Sequence, residues 1–167
     1  MPINNSKELF IKLLSDVRQR TEHTTKIYQE LGGLAQDPNI KEALESRVFL
    51  QDHILSSLDR CFALIGAKPV ALSGRLQEVF LEDVKRELAE IQSPQVKALF
   101  VLIKATHLMQ LRIAEYMALI AMADVTGHFG VGVLLESCLA TKLAFVERTR
   151  RLIRNTIESK YALKLAA

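Results

Sequence analysis

The sequence of 167 residues has no tryptophan, two cysteines, four prolines and seven glycines, and aromatic residues are only 6% of it. So little glycine and proline beside a large apolar fraction excludes a disordered or low-complexity chain. Cys61 and Cys138 both fall at apolar helical positions, so they read as buried reduced thiols rather than as a disulfide or a reactive pair, which fits a reducing compartment. The net charge of +3 is too small to argue for a nucleic-acid partner. The opening MPINNSKELF has neither a basic start nor an apolar stretch after it, so no signal peptide is expected. The apolar run Leu108 to Ala123 is interrupted by Gln110, Arg112 and Glu115, and charges are expensive at bilayer depth, so no membrane span is expected there. A cytoplasmic protein is the expectation.

Catalytic patterns are missing as well. His23, His53, His107 and His128 fall on different helices or faces. Gly127, Gly130 and Gly132 follow no strand, and no lysine completes a phosphate loop. Arg148, Arg150, Arg151 and Arg154 form a basic run that reads as a solvated face near a helix C-terminus, where positive charge suits the helix dipole.

What is present is helix. Alanine, leucine, glutamate, lysine and arginine dominate. The spacing predicts helices over about 6–31, 38–65, 74–91, 94–123 and 128–160 in a single domain. Asn5 and Ser6 cap the first, with Glu8 placed for a capping box. Its inner face is Phe10, Leu13, Val17, Thr21, Thr24, Tyr28 and Leu31, and Gly32-Gly33 are expected to end it. Asp37-Pro38 opens the second, with Ile40, Leu44, Arg47, Gln51, Ile54, Leu58 and Ile65 inward and Gly66 as its stop. Ser73 caps a short helix whose apolar side is Leu76, Val79, Phe80, Val84 and Leu88. Ser93-Pro94 opens the long apolar helix, roughly 45 Å at 1.5 Å per residue, which other helices must cover. The last helix turns Val131, Leu134, Cys138, Thr141, Phe145, Thr149 and Leu152 inward. Four long helices and one short one with tight joints make an all-α antiparallel bundle.

Bundles of this kind place metal and cofactor sites at mid-height on inward side chains, and a di-iron or di-manganese centre needs glutamates with Glu-x-x-His pairs. That pattern does not occur. Glu22-His23 and Asp52-His53 are adjacent and point apart, and Lys104 stands three positions before His107. The mid-level positions are Thr21, Thr24, Arg47, Gln51, Thr106, Met109, Gln110, Cys138, Thr141 and Lys142, none a carboxylate, while Glu115, Glu136 and Glu147 are expected to face away. Metal ligands, catalytic residues and a cofactor are therefore all expected to be absent. The layer of Thr21, Thr24, Gln51, Thr106, Gln110, Thr141 and Lys142 reads as a vestigial or ligand site, or as polar core residues satisfied within the bundle. Lys142 reads either as an ammonium standing where a metal was or, in the preferred reading, as a stem along the core edge with its head in water. Arg47 and Arg112 carry the same two readings.

The segments LLSDVRQRTEH, LAQDPNIKEAL, LDRCFALIGAKP, RIAEYMALIAMA and LLESCLATK resemble, in order and spacing, the YciE/YciF-like proteins, ferritin-like bundles linked to bacterial stress responses. The resemblance spans about residues 9 to 155. It implies a ferritin-like four-helix bundle with one additional short helix. It also implies that the family's acidic positions fall on Thr21, near Phe49 and Leu50, on Met109, Gln110 and Arg112, and on Thr141 and Lys142, leaving only Glu136. The expectation is a non-catalytic, stress-associated structural or interaction protein. It is expected to be a homodimer, on the resemblance and on apolar residues outside the inner stripes such as Phe49, Val101, Leu119 and Met122. A small-molecule-binding bundle is the alternative, and a di-metal oxidase or iron store a third reading that needs inward carboxylates. A membrane-surface role for the last helix is a further reading.

Overall fold

The computed structural model describes residues 3–35, 37–46, 48–71 and 75–165. Its six helices are α1 (Ser6–Leu34), α2 (Pro38–Glu45), α3 (Val48–Ile65), α4 (Arg75–Glu90), α5 (Pro94–Val125) and α6 (Phe129–Leu165). Arg47 and Ser73 lie outside the described residues, as does the side chain of Phe49.

The helix ends follow local chemistry. Asn5 Oδ1 accepts from the Glu8 N–H at 2.9 Å, and the Glu8 carboxylate accepts from the Asn4 N–H at 2.7 Å, so two otherwise orphaned donors are satisfied at the start of α1. Asp37 caps α2 through Asn39 and Ile40, with Pro38 behind it. Ser93 occupies the same place before α5, but its hydroxyl makes no capping bond. Gly66 at φ 63° and Gly127 at φ 75° each close a helix, with Ala67 N–H bonded to Phe62 O and His128 N–H to Ala123 O.

Two features depart from the pattern read above. The second long helix is two pieces, because the chain breaks after Ser46, whose hydroxyl turns back to Ala43 O at 3.1 Å. And Gly32-Gly33 do not stop α1. The helix continues to Leu34, and neither glycine has a positive φ. Gly32 serves packing instead, since a Cβ there would meet Glu45 Cγ at 3.2 Å where α1 meets α2.

The four long columns α1, α3, α5 and α6 enclose the core, with α4 laid across α1 and α5. The core divides in two along the bundle axis. One cluster joins Phe10, Leu14 and Val17 of α1 to Ile54, Leu58 and Phe62 of α3, Tyr116 and Leu119 of α5, and Val131 and Leu135 of α6. The other joins Tyr28 and Leu31 to Leu44, Val84, Leu102, Met109 and Phe145, with the Tyr28 and Phe145 rings edge to face at 5.4 Å. The start of α1 therefore lies level with the end of α3, the end of α5 and the start of α6, so α1 and α6 run one way and α3 and α5 the other. A stretch of α6 within Phe129–Glu158 is long and apolar enough, by composition, to cross a membrane. In this fold α6 lies along α5 and α3 and gives Val131, Leu135, Cys138 and Phe145 to the core.

The two kinds of glycine differ in a measurable way. Nothing lies within 4 Å of a Cβ built on Gly33, in mid-helix, so Gly33→Ala should stabilise the fold by about 1 kcal/mol. Gly127→Ala, forced to a positive φ, should cost about 1–2 kcal/mol despite equally open space. Urea unfolding of the two variants should move in opposite directions.

Candidate functional site

Between the two hydrophobic clusters lies a polar layer. Each long helix crosses it with a polar residue where its apolar stripe lapses: Thr21 and Thr24 on α1, Gln51 on α3, Arg112 on α5 and Lys142 on α6, all buried. Of the other residues read into this layer, Thr106 and Thr141 are half-buried, and Gln110 is exposed on the outer side of α5.

The threonines spend their protons locally. Thr21 donates to Val17 O at 2.8 Å, Thr24 to Arg20 O, Thr106 to Leu102 O and Thr141 to Ser137 O. Each keeps only acceptor capacity for the interior.

The charges are the unusual part. Arg112 is 2% exposed, which makes it one of the largest fully buried side chains. Its Nη1 donates to Glu115 Oε2 at 2.7 Å, one helical turn on. Glu115 does not face away as expected. It closes the seam between α5 and α1, where Arg20 binds its other oxygen, and Arg20 in turn pairs with Asp16. The order Asp16, Arg20, Glu115, Arg112 thus leads charge from the surface into the core. Arg112 Nε and Nη2, Gln51 Oε1 and the Tyr116 hydroxyl are buried with no hydrogen-bond partner among the described residues.

Lys142 is 3% exposed, so its head does not reach water. Its ammonium sits 4.7 Å from the centre of the Tyr116 ring, an arrangement that compensates part of the lost hydration. Burial pushes the Tyr116 phenol upward, and Cys138 adds to this, while Thr21 and the Arg112 charge pull the other way. Burial likewise pushes the Cys61 thiol up to about 12 and raises Cys138, with the Lys142 charge opposing the second shift. Both cysteines are free and buried, and neither has thiolate character at neutral pH.

Four residues of this region escaped the reading above. Arg20 and Asp16 look like surface charges in a helical repeat, and only the crossing of α1 and α5 reveals their role. Tyr116 looks like an ordinary core aromatic. Gln77 was hidden by a misplaced face: Leu76 and Val79 are exposed at 50% and 43%, and Gln77 is buried instead. Its amide donates to Arg20 O at 2.8 Å and to Thr24 Oγ1 at 3.3 Å, and its oxygen meets His23 Nδ1, which fastens α4 to α1 beside the layer. The spacing Gln77, Val84, Leu88 holds the correct face, but a glutamine in first place conceals it.

The layer does not suit a metal centre. No three His, Cys, Asp or Glu side chains converge among the described residues. A divalent ion here would meet a guanidinium and an ammonium where its chemistry demands anionic oxygen. The largest groove, about 460 Å³, lies elsewhere, between α2 and α6, with Asp37, Glu42 and Arg148 in its wall. A groove of about 290 Å³ between α1 and α5 opens directly over Glu115. The basic run is surface structure: Glu147 binds Arg150 and Arg151, whose hydrogen bonds hold its carboxyl down at about 2, and Arg154 pairs with Glu158.

Fold and layer together define a ferritin-like helical bundle whose mid-height residues are neutral and cationic. The sequence matches the family described as a domain of unknown function, DUF892, over residues 5–162, and the chain belongs to that family. Among solved structures it is similar to the stress protein YciF of E. coli, with 18% identity over 93% of this chain and 99% of that one and a TM-score of 0.86. It is also similar to YcfI of Rhodopseudomonas palustris, for which a structural role has been suggested (21%, 89% and 94%, TM-score 0.83). A protein of Xanthomonas campestris pv. campestris follows (16%, 96% and 99%, TM-score 0.67). No curated protein sequence matches. The YciF-like resemblance read from the motifs is thereby shown at the level of family and fold.

The Arg112–Glu115 pair gives a test of how the layer is held. Removing one partner of a buried pair strands the other, so Glu115→Gln should cost about 3–5 kcal/mol in urea unfolding. The double variant Arg112→Met/Glu115→Leu should recover most of that loss.

Proposed function

We propose that this protein is a non-catalytic structural or interaction member of its family, stress-associated as the YciF comparison suggests, and that it works without a di-metal centre. The observation that carries this reading is the pair of buried cations, Arg112 and Lys142, at the height where a ferritin-like bundle would hold metal. With their thiols buried and unreactive, Cys61 and Cys138 supply no nucleophile, and they suit a reducing compartment such as the cytoplasm.

The same reading includes a homodimer, though on different residues from those expected. Val101 and Leu119 are 0% and 1% exposed and belong to the core. The outward faces of α5 and α6 carry the apolar surface instead: Leu111, Met117 and Val125 on one, Phe129, Val133 and Leu143 on the other. These helices are joined by a three-residue turn, so the two faces adjoin. Beyond Leu143 the outer face of α6 changes to Glu147, Arg148, Arg151 and Arg154, which bounds the patch with charge. An apolar area of this kind, rimmed by polar groups, marks a protein contact.

Two measurements test the proposal. Elemental analysis of protein purified without chelator should find iron, manganese and zinc far below one ion per chain, and stoichiometric metal would overturn it. Light scattering at micromolar concentration should give twice the 18.8 kDa chain mass, and Met117→Glu with Val133→Glu should give the monomer.

A further inference from the structure

We infer that the polar layer is a binding site for a small inorganic anion of halide size, held by Arg112 and favoured by Lys142. The inference rests on the reading that no metal occupies the layer.

The first ground is the balance of idle groups. Arg112 Nε carries one N–H and Nη2 two, and the Tyr116 hydroxyl adds an O–H, all buried and without a hydrogen-bond partner among the described residues. Against these four donor hydrogens stands one idle acceptor, Gln51 Oε1. A water brings as many donors as acceptors and would leave the surplus in place. An anion only accepts, and so corrects it.

The second ground is charge. The carboxylate that binds Arg112 is shared with Arg20, so it does not belong to the guanidinium alone. The Lys142 ammonium adds a further positive charge on the Tyr116 face, inside the same closed layer. In a low-dielectric interior a guest of negative sign is strongly favoured at such a place. The threonines do not compete, because their protons are bound to their own helix.

The third ground is access and size. Glu115 both binds Arg112 and lines the groove between α1 and α5, so a guest passes from solvent to the guanidinium by displacing one side chain that Arg20 can retain. Arg112 is bracketed on α5 by the buried Leu108, Met109 and Tyr116, and this restricts the guest to one or a few atoms.

The test uses the full chain at constant ionic strength, with chloride or bromide replacing gluconate, an anion too large for the layer. The melting midpoint should rise with halide and saturate, by about 3–6 °C at ten times the dissociation constant. Arg112→Met should abolish the halide dependence while keeping the helical far-ultraviolet spectrum, and Lys142→Met should raise the halide concentration needed about tenfold. Crystals grown in bromide should show an anomalous peak within hydrogen-bonding reach of Arg112 Nε and Nη2. Equal melting in chloride and gluconate, or a water at that position with no anomalous peak, would overturn the inference. Should Arg112→Met not fold, the bromide peak in the unmodified protein decides alone. The two readings fail separately: a transition ion in the layer refutes the metal-free function, whereas missing bromide refutes only the anion site.

Discussion

The bond from Arg112 to Glu115 is the constraint on which the rest of this bundle depends. A guanidinium enclosed by four helices loses its hydration, and one carboxylate at 2.7 Å returns part of what was lost. That carboxylate can stay in place only because Arg20 holds its other side, and Arg20 is steadied by Asp16. The positions of α1 and α5 are therefore tied by charge at mid-height, while above and below they are tied by ordinary hydrophobic packing. Gln77 adds a neutral tie from α4 to the backbone of α1 at Arg20 and to Thr24. A polar layer arranged in this way limits sliding, since any shift of one helix along another would separate partners that have no solvent to replace them.

Much of this architecture was legible in the sequence. Caps at Asn5 and Asp37 and stops at Gly66 and Gly127 announce themselves through side chains that bond the backbone locally. The inner stripes of α1, α5 and α6 follow from the 3.6-residue period, as does the polar interruption at Thr21, Thr24 and Gln51. What the period does not carry is the partner across the gap. Glu115 reads as an outward residue on its own helix, and only the approach of α1 turns it into the counter-ion of Arg112. Lys142 shows the same limit. A long aliphatic stem at the margin of a face can reach water or fold inward, and the aromatic ring of Tyr116 on a different helix decides between the two. Gly32-Gly33 failed as a stop for another reason: Gly32 is needed for close approach to Glu45, which gives glycine a use inside a helix.

Loss of acidity at the centre changes what kind of chemistry the fold can support. A bundle with inward glutamates is poised to bind a cation and pass electrons or oxygen through it. With a guanidinium and an ammonium in the same place, the interior attracts negative charge and repels metal. The outer surface changes in parallel. Apolar residues run over adjoining faces of α5 and α6 and give way to paired arginines beyond Leu143, so the features with recognisable chemistry are a closed layer inside and a contact face outside.

The break after Ser46 has an evolutionary reading. It falls beside the boundary between the two hydrophobic clusters, with α2 serving one and most of α3 the other. A continuous rod there would transmit any change in side-chain volume from end to end, because its residues must keep one register throughout. An interruption uncouples the two ends, so each can accept substitutions on its own schedule. Relatives that share the topology at identities of 16–21% are what a scaffold of two separately mutable compartments would leave behind.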